Sequence, residues 1–186
     1  MHGEVEVRPE IPADEATVER VVTAAFGQDA EAQLVAALRR RAAPVLSLVA
    51  VADGAVVGHV MLSPVEVEPA IAAAGRRATP AVATAGLAPV AVDPAHQRRG
   101  VGAALVGEAL ARAPALGWRA IFVVGDPAYY GRFGFEAAAP RGLHYHPDCD
   151  AAFQVLELDP GVLTGHTGRV AYHAAFDELG EPPESS

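Results

Sequence analysis

Hydrophobic and polar residues alternate over "EVEVRP" (residues 4–9), which predicts a first β-strand. The period then changes. In "EATVERVVTAAF" (15–26), Val18, Val21, Val22 and Ala25 recur at helical spacing, with Ile11 expected on the same face and Asp14 placed to cap the N-terminus. A second helix is predicted over "DAEAQLVAALRRRA", with Leu34, Ala37 and Leu38 on one side and an end before Pro44. "VLSLVAVADGAVVGHVMLSPVEVE" (45–68) carries two β-rich runs around Asp53-Gly54, a preferred turn pair, and predicts a hairpin. Residues 69–82 read as a loop. A strand in "TAGLAPVAVDP" closes at Asp93-Pro94, and "GVGAALVGEALARAPAL" predicts a helix of about four turns that Pro114 terminates. "WRAIFVV" is a buried strand broken by Gly125-Asp126-Pro127, "PAYYGRFGF" a short helix stopped at Gly134, and "FQVLEL" a late strand. The predicted order is β-α-α-β-β-β-α-β-α-β. No internal repeat or linker divides it, so one domain is expected over residues 1–177, with a frayed tail from Glu178.

Composition changes this picture little. At 186 residues, 51% hydrophobic and 20% charged, the chain is globular in type. Its net charge of −9 argues against non-specific nucleic-acid binding, which needs a positive field to engage phosphates, and suits a cationic substrate such as an amine. The chain contains no lysine and one cysteine, Cys149, so no intramolecular disulfide can form. The N-terminal stretch lacks an apolar signal core, and no apolar run approaches the ~18–20 residues needed to cross a bilayer. A soluble cytoplasmic protein with no membrane association is the expectation.

One stretch stands against the acidic background. "VAVDPAHQRRGVGAALVGEALARA" (90–113) places Arg98 and Arg99 at the mouth of a helix, with Gly100 and Gly102 flanking Val101. The first N–H groups of a helix have no intrahelical partner, and the helix dipole makes that end partially positive. Glycine lets an anion approach the backbone closely. The combination is a phosphate cradle. A Walker A loop would need Lys-Ser/Thr after the second glycine, where Ala103-Ala104 stands. A dinucleotide fingerprint would need a third glycine where Leu105 stands and an earlier strand.

"Q-R-R-G-V-G" after a strand ending in Val-Asp-Pro resembles the acyl-CoA motif of the GNAT superfamily of N-acetyltransferases, Gln/Arg-x-x-Gly-x-Gly/Ala. "Y-G-R-F-G-F" (130–135) resembles the second signature, Tyr-x-x-x-Gly-Phe, and "GDPAYYGRFGF" is similar to a bacterial branch of the superfamily, as are the late "LEL" strand and "GRVAYHAAFDE". The resemblance covers Val5 to Asp177. It implies an α/β fold whose central, mostly antiparallel mixed sheet has a V-shaped splay and is flanked by helices. It also implies acetyl-CoA as cosubstrate and no metal. Backbone N–H groups of Arg98, Arg99, Gly100, Val101, Gly102 and Ala103 would hold the pyrophosphate. Val90, Ala91 and Val92 would line the pantetheine arm, with Val90 and Val92 offering the N–H groups that Pro89 lacks. Tyr130 would be the acid facing the sulfur, with Tyr129 beside it as core or pocket wall.

The base stays open among Glu66, Glu68, His59, Asp126 and water. Glu66 and Glu68 share a strand face that could equally be solvated, His59 fits a core histidine, and Asp126 fits a helix cap. His96 precedes the cradle without an assigned role. "HYHPDCD" brings His144, His146, Asp148, Cys149 and Asp150 together, but its spacing matches no common zinc site and a polar loop is the simpler account. The acceptor expected from the resemblance is a small-molecule or peptide amine. Homodimerisation is left open. Two rivals remain: an acyl-CoA-binding sensor without turnover, and a transferase of larger acyl groups, for which Phe133 and Phe135 would matter.

Overall fold

The computed structural model describes residues 5–69 and 81–179. Most of the expected 69–82 loop, the start of the first strand at Glu4 and the tail beyond Leu179 lie outside those residues. The elements are β1 (Glu6–Pro9), α1 (Glu15–Phe26), α2 (Ala30–Arg41), β2 (Leu46–Ala52), β3 (Ala55–Pro69), β4 (Thr84–Val92) and α3 (Val101–Arg112). They continue with β5 (Ala120–Val124), α4 (Pro127–Tyr130), β6 (Glu136–Ala137), β7 (Leu143–His144), β8 (Phe153–Glu157) and β9 (Gly168–Ala171). This is a mixed α/β fold with mostly antiparallel strands flanked by helices. Among the described pairings only β4/β5 and β7/β9 are parallel. The short β6 and β7, and β9, carry too few alternating residues to be read from sequence.

The chain divides into two compact units, residues 1–63, 88–112 and 173–186 in the first and residues 64–87 and 113–172 in the second. In the first unit, β1, β2 and the first part of β3 form an antiparallel ladder, with Glu6 opposite Val51 and Leu48 opposite Val60. The hairpin turns at Asp53-Gly54, both at positive φ (50° and 77°), the backbone that this residue pair favours. Val18, Val21 and Val22 of α1 and Leu34, Val35 and Leu38 of α2 are buried with Val49, Met61 and Ala91. Ile11 is not on this face: it is 50% exposed, because the turn Pro12–Asp14 precedes the helix. Asp14 sits at the N-cap of α1 without capping it. Its carboxylate instead accepts from Arg8 at 2.6 and 3.0 Å and from the Ile11 N–H at 3.0 Å. At the far end, Ala174–Leu179 forms a 3-10 turn, and Glu178, expected to begin the tail, pairs with Arg41 at 2.5 Å.

In the second unit, β5 pairs in parallel with the start of β4 and antiparallel with β8, which also carries β6. The end of β3 pairs with β9, Glu66 opposite Ala171 and Glu68 opposite Arg169. The core here is aromatic and branched, with Phe122, Phe153, Val65, Leu143, Val155 and Val170 buried together. The β4/β5 ladder runs only from Thr84–Ala120 to Gly86–Phe122, although both strands continue beyond it.

Candidate functional site

The cradle is built by the end of β4 and the start of α3. Asp93 ends the strand and accepts from the Ala95 N–H at 2.9 Å, starting a turn over Pro94–His96. Gln97 reaches back with its side-chain amide to the Val92 carbonyl at 3.1 Å, which ties the loop to the strand. Arg98 and Gly100 have positive φ (58° and 85°). Left-handed residues interposed in a turn are the backbone pattern of anion-binding nests. Ala104 is the residue whose N–H bonds to the Gly100 carbonyl, at 2.9 Å, so those of Val101, Gly102 and Ala103 precede this helical bond and face the loop.

The charges agree with this geometry. Arg8, Arg39, Arg41, Arg112, Arg119, Arg141 and Arg169 all lie within ion-pair distance of a carboxylate. Arg98 and Arg99 are exposed and, like Arg20, Arg40 and Arg132, have no ion-pair partner among the described residues. His96 lies 3.5 Å from the Asp93 carboxylate, outside the cradle loop.

β4 supplies the second feature. The Asp93 N–H donates to the Val57 carbonyl of β3 at 2.9 Å. Along an extended strand successive N–H groups alternate in direction. Ala91 therefore aims its N–H toward β3, and Val90 and Val92 aim theirs at the opposite edge. Ala91, 1% exposed, contributes its side chain to the core. Gly58 lets α3 settle on the sheet: a Cβ there would lie 2.9 Å from Leu105 Cδ1, 3.1 Å from Val101 Cγ1 and 3.2 Å from the Ala91 carbonyl oxygen. The Val101 side chain is therefore committed to packing, and only its backbone is left for a ligand.

In the second unit, Asp126 caps α4 by accepting from the Ala128 N–H at 2.8 Å. Tyr130 follows one turn later. Its ring covers Gly125, where a Cβ would overlap it, and meets Phe135 edge-on at 5.7 Å between centroids. Burial, with Tyr129 adding to it, pushes the Tyr130 phenol up to about 12, so it is protonated at neutral pH. Tyr129 contacts Tyr130 at 4.9 Å and carries the Arg132 guanidinium 4.0 Å above its ring.

The base candidates do not converge. Glu66 and Glu68 are exposed on a strand paired to β9, and Glu68 faces Arg169 at 3.7 Å. Asp126 is the cap just described. His59 is fully buried and belongs to a network that sequence reasoning missed: Ser47 donates to Glu10, which also accepts from Arg39, and His59 Nε2 lies 2.8 Å from Ser47 Oγ. Since the Ser47 proton is used on Glu10, His59 Nε2 is the donor in that contact. Burial holds His59 below its ordinary value, against the raising effect of Glu10. A neutral, fully buried imidazole has no route to a substrate amine. Nothing in the spacing of Glu10, Arg39 and Ser47 announces this network, because three separate elements bring it together.

In the 144–150 loop, His144 pairs with Asp150 at 3.0 Å and His146 with Asp148 at 3.4 Å. No group of three or more His, Cys, Asp or Glu is placed to hold a metal among the described residues, and no described helix is long and apolar enough to cross a membrane.

Comparison with known proteins adds to this geometry. The sequence pattern of the Acetyltransferase (GNAT) family matches residues 15–135. The uncharacterized N-acetyltransferase YhbS of Escherichia coli K12 is 39% identical over 175 residues, 93% of this chain and 99% of YhbS. A crystal structure of YhbS in complex with CoA superposes with a TM-score of 0.82 at 38% identity, covering 95% of this chain and 94% of that one. A GNAT family acetyltransferase from Brucella melitensis in complex with acetyl-CoA gives a TM-score of 0.71 at 37% identity, over 95% of this chain and all of that one.

Proposed function

The chain belongs to the GNAT family of acetyltransferases, and from that premise we propose that it moves the acetyl group of acetyl-CoA directly to a primary amine. The observation that carries this reading is the cradle, where Arg98 and Arg99, without an ion-pair partner among the described residues, adjoin in sequence the free N–H groups of Val101, Gly102 and Ala103 in an acidic chain. Its chemistry fits a pyrophosphate: a divalent anion, two guanidinium groups and oriented backbone donors. The CoA and acetyl-CoA bound by the two relatives above support the choice of anion.

In this reading the amine nitrogen attacks the thioester carbonyl carbon, the carbon–sulfur bond breaks, and the amine sheds one proton while the sulfur gains one. Holding both reactants together supplies a large part of the rate. The N–H of Val90 or Val92 polarises the carbonyl oxygen. An alkylamine of pKa near 10.4 is neutral in only about one molecule in 2,500 at pH 7, so its proton must be removed. Glu68 faces Arg169, Asp126 caps α4, His59 is buried and Glu66 lies exposed beside β9, so we assign that step to water. Tyr130 serves the leaving sulfur. A phenol raised to about 12 holds its proton more firmly than a thiol near 8.5, so Tyr130 acts chiefly by donating a hydrogen bond as the thiolate forms.

We read residues 1–177 as one catalytic domain acting in the bacterial cytoplasm, in keeping with the bacterial relatives. A cationic small molecule or peptide suits the net charge of −9 as acceptor. The test is titration calorimetry with acetyl-CoA and CoA. We expect micromolar binding that is lost in Gly102→Val. Absence of binding in the unaltered protein, or unchanged affinity in Gly102→Val, would sink the cradle assignment.

A further inference from the structure

The outer seam between α1 and α2 is not filled by the chain's own side chains. The two helices run antiparallel, joined by residues 27–29, with Glu15 of α1 lying 3.9 Å from Arg39 of α2. An open groove of about 390 Å³ lies between them. Val18, Val22, Ala32 and Val35, all buried, form an apolar floor, and Asp29, Gln33 and Ala36 line it from the α2 side. A groove between two helices is the feature that receives the side-chain ridge of a third. The ridge that α2 itself presents is Asp29, Gln33, Ala36 and Arg40, spaced i, i+4, i+7 and i+11 and so confined to about 60° of the helix. Its two ends carry opposite charges. In the run Arg39-Arg40-Arg41, Arg39 is held by Glu10 and Arg41 by Glu178, while Arg40 is exposed and has no ion-pair partner among the described residues. Asp29 is also exposed and without an ion-pair partner among them; its carboxylate accepts from Gln33 Nε2 at 2.8 Å. Eleven residues separate Asp29 from Arg40, about 16 Å along the axis, so the two cannot pair within one helix.

We infer that this face of α2 is a homodimer interface, on which the α2 ridge of a second copy enters the α1/α2 groove in antiparallel sense. The charge pattern selects a second copy as the occupant. The point on α2 midway between Asp29 and Arg40 is also midway between Gln33 and Ala36. A two-fold axis through it brings Asp29 onto the partner's Arg40, Arg40 onto the partner's Asp29, and Gln33 onto the partner's Ala36. One patch then serves both sides, as an isologous contact requires. The small Ala36 lets the two helices approach, and the ion pair occurs twice. All the residues involved belong to the first compact unit. The inference is independent of the proposed function and concerns assembly rather than the acetyl-CoA site.

Sedimentation velocity on the full chain, over a range of protein concentrations, tests it. The unaltered protein should sediment as a dimer at micromolar concentration. Asp29→Arg sets like charges against each other at both ends of the interface, and so does Arg40→Asp. Each should weaken association by about tenfold or more, because like charges across an interface repel. Both positions are exposed, so both variants should keep the circular dichroism of the unaltered protein. An equimolar mixture of the two variants restores opposite charges at both ends and should recover the dimer that neither forms alone. A protein that stays monomeric at every concentration would overturn the inference and leave the groove to another occupant. A dimer that neither substitution weakens, or a mixture no more associated than its two components, would overturn it equally, by placing the contact elsewhere on the surface.

Discussion

Gly58 is the residue on which the position of the cradle depends, although it belongs to neither motif. Substituting alanine adds one Cβ, 2.9 Å from Leu105 Cδ1, 3.1 Å from Val101 Cγ1 and 3.2 Å from the Ala91 carbonyl oxygen. The leucine methyl can rotate away. The Ala91 carbonyl is backbone, and Val101 opens α3, so the helix itself must lift by a few tenths of an ångström. Overpacking of this kind costs about 1–3 kcal/mol. At roughly 2–4 °C per kcal/mol for a chain of this size, Gly58→Ala should melt about 2–12 °C lower. Lifting the start of α3 also misaligns the donors of Val101 to Ala103. If these donors hold acetyl-CoA as proposed, loss of one such hydrogen bond, about 1.4 kcal/mol, should weaken its binding about tenfold. Gly107 is the control on the same helix: nothing lies within 4 Å of a Cβ there. Gly107→Ala should gain about 0.5–1 kcal/mol of helix stability and melt a few degrees higher, with affinity unchanged. Thermal melts and calorimetry of the two variants decide the matter. Shifts of the same sign, or a Gly58→Ala protein with normal affinity, would refute the packing argument.

Three further outcomes are expected. Tyr130→Phe should lower turnover more than it weakens acetyl-CoA binding, once an accepting amine is in hand; equal losses would assign the tyrosine to positioning alone. The buried His59 network should make stability fall with acid. Burial holds His59 below 6.5, so protonation favours the unfolded chain and stability drops as pH falls below that value. Burial alone would raise Glu10, but the nearby His59, the hydrogen bond from Ser47 and the charge of Arg39 bring it below 4.5, so its contribution is lost at still lower pH. Glu15 also faces Arg39, at 3.9 Å. Melting temperature followed from pH 7.5 to 5 should decline in the unaltered protein and be flatter in His59→Gln; a flat profile for both would exclude His59 as the titrating group. Gly86→Ala should destabilise by the overpacking cost given above, since Tyr172 and Val65 block the new methyl. A melt unchanged from the unaltered protein would place Tyr172 away from that backbone.

Much of this protein was written in local pattern. Helical and strand periods located α1 to α3 and β1 to β5, because burying one face of an element imposes its period on the residues beneath. Asp53-Gly54, the Asp126 cap and Gly134 follow from backbone preferences that need no tertiary partner. The proposed cradle rests on local pattern for the same reason: helix-start donors, glycines and arginines fall within a few consecutive residues. What the sequence could not supply is whatever distant segments bring into contact. Ile11 and Asp14 fit the helix pattern, yet Asp14 is claimed by Arg8 and Ile11 turns outward. His59 was visible as a buried position, but its partners Glu10, Ser47 and Arg39 come from β2, α2 and the segment after β1. Gly86, a glycine inside a strand, signals close approach by something. Only the fold shows that it is Tyr172. Local propensities are set by neighbours along the chain, whereas burial, ion pairing and ring packing are settled by which surfaces close on one another.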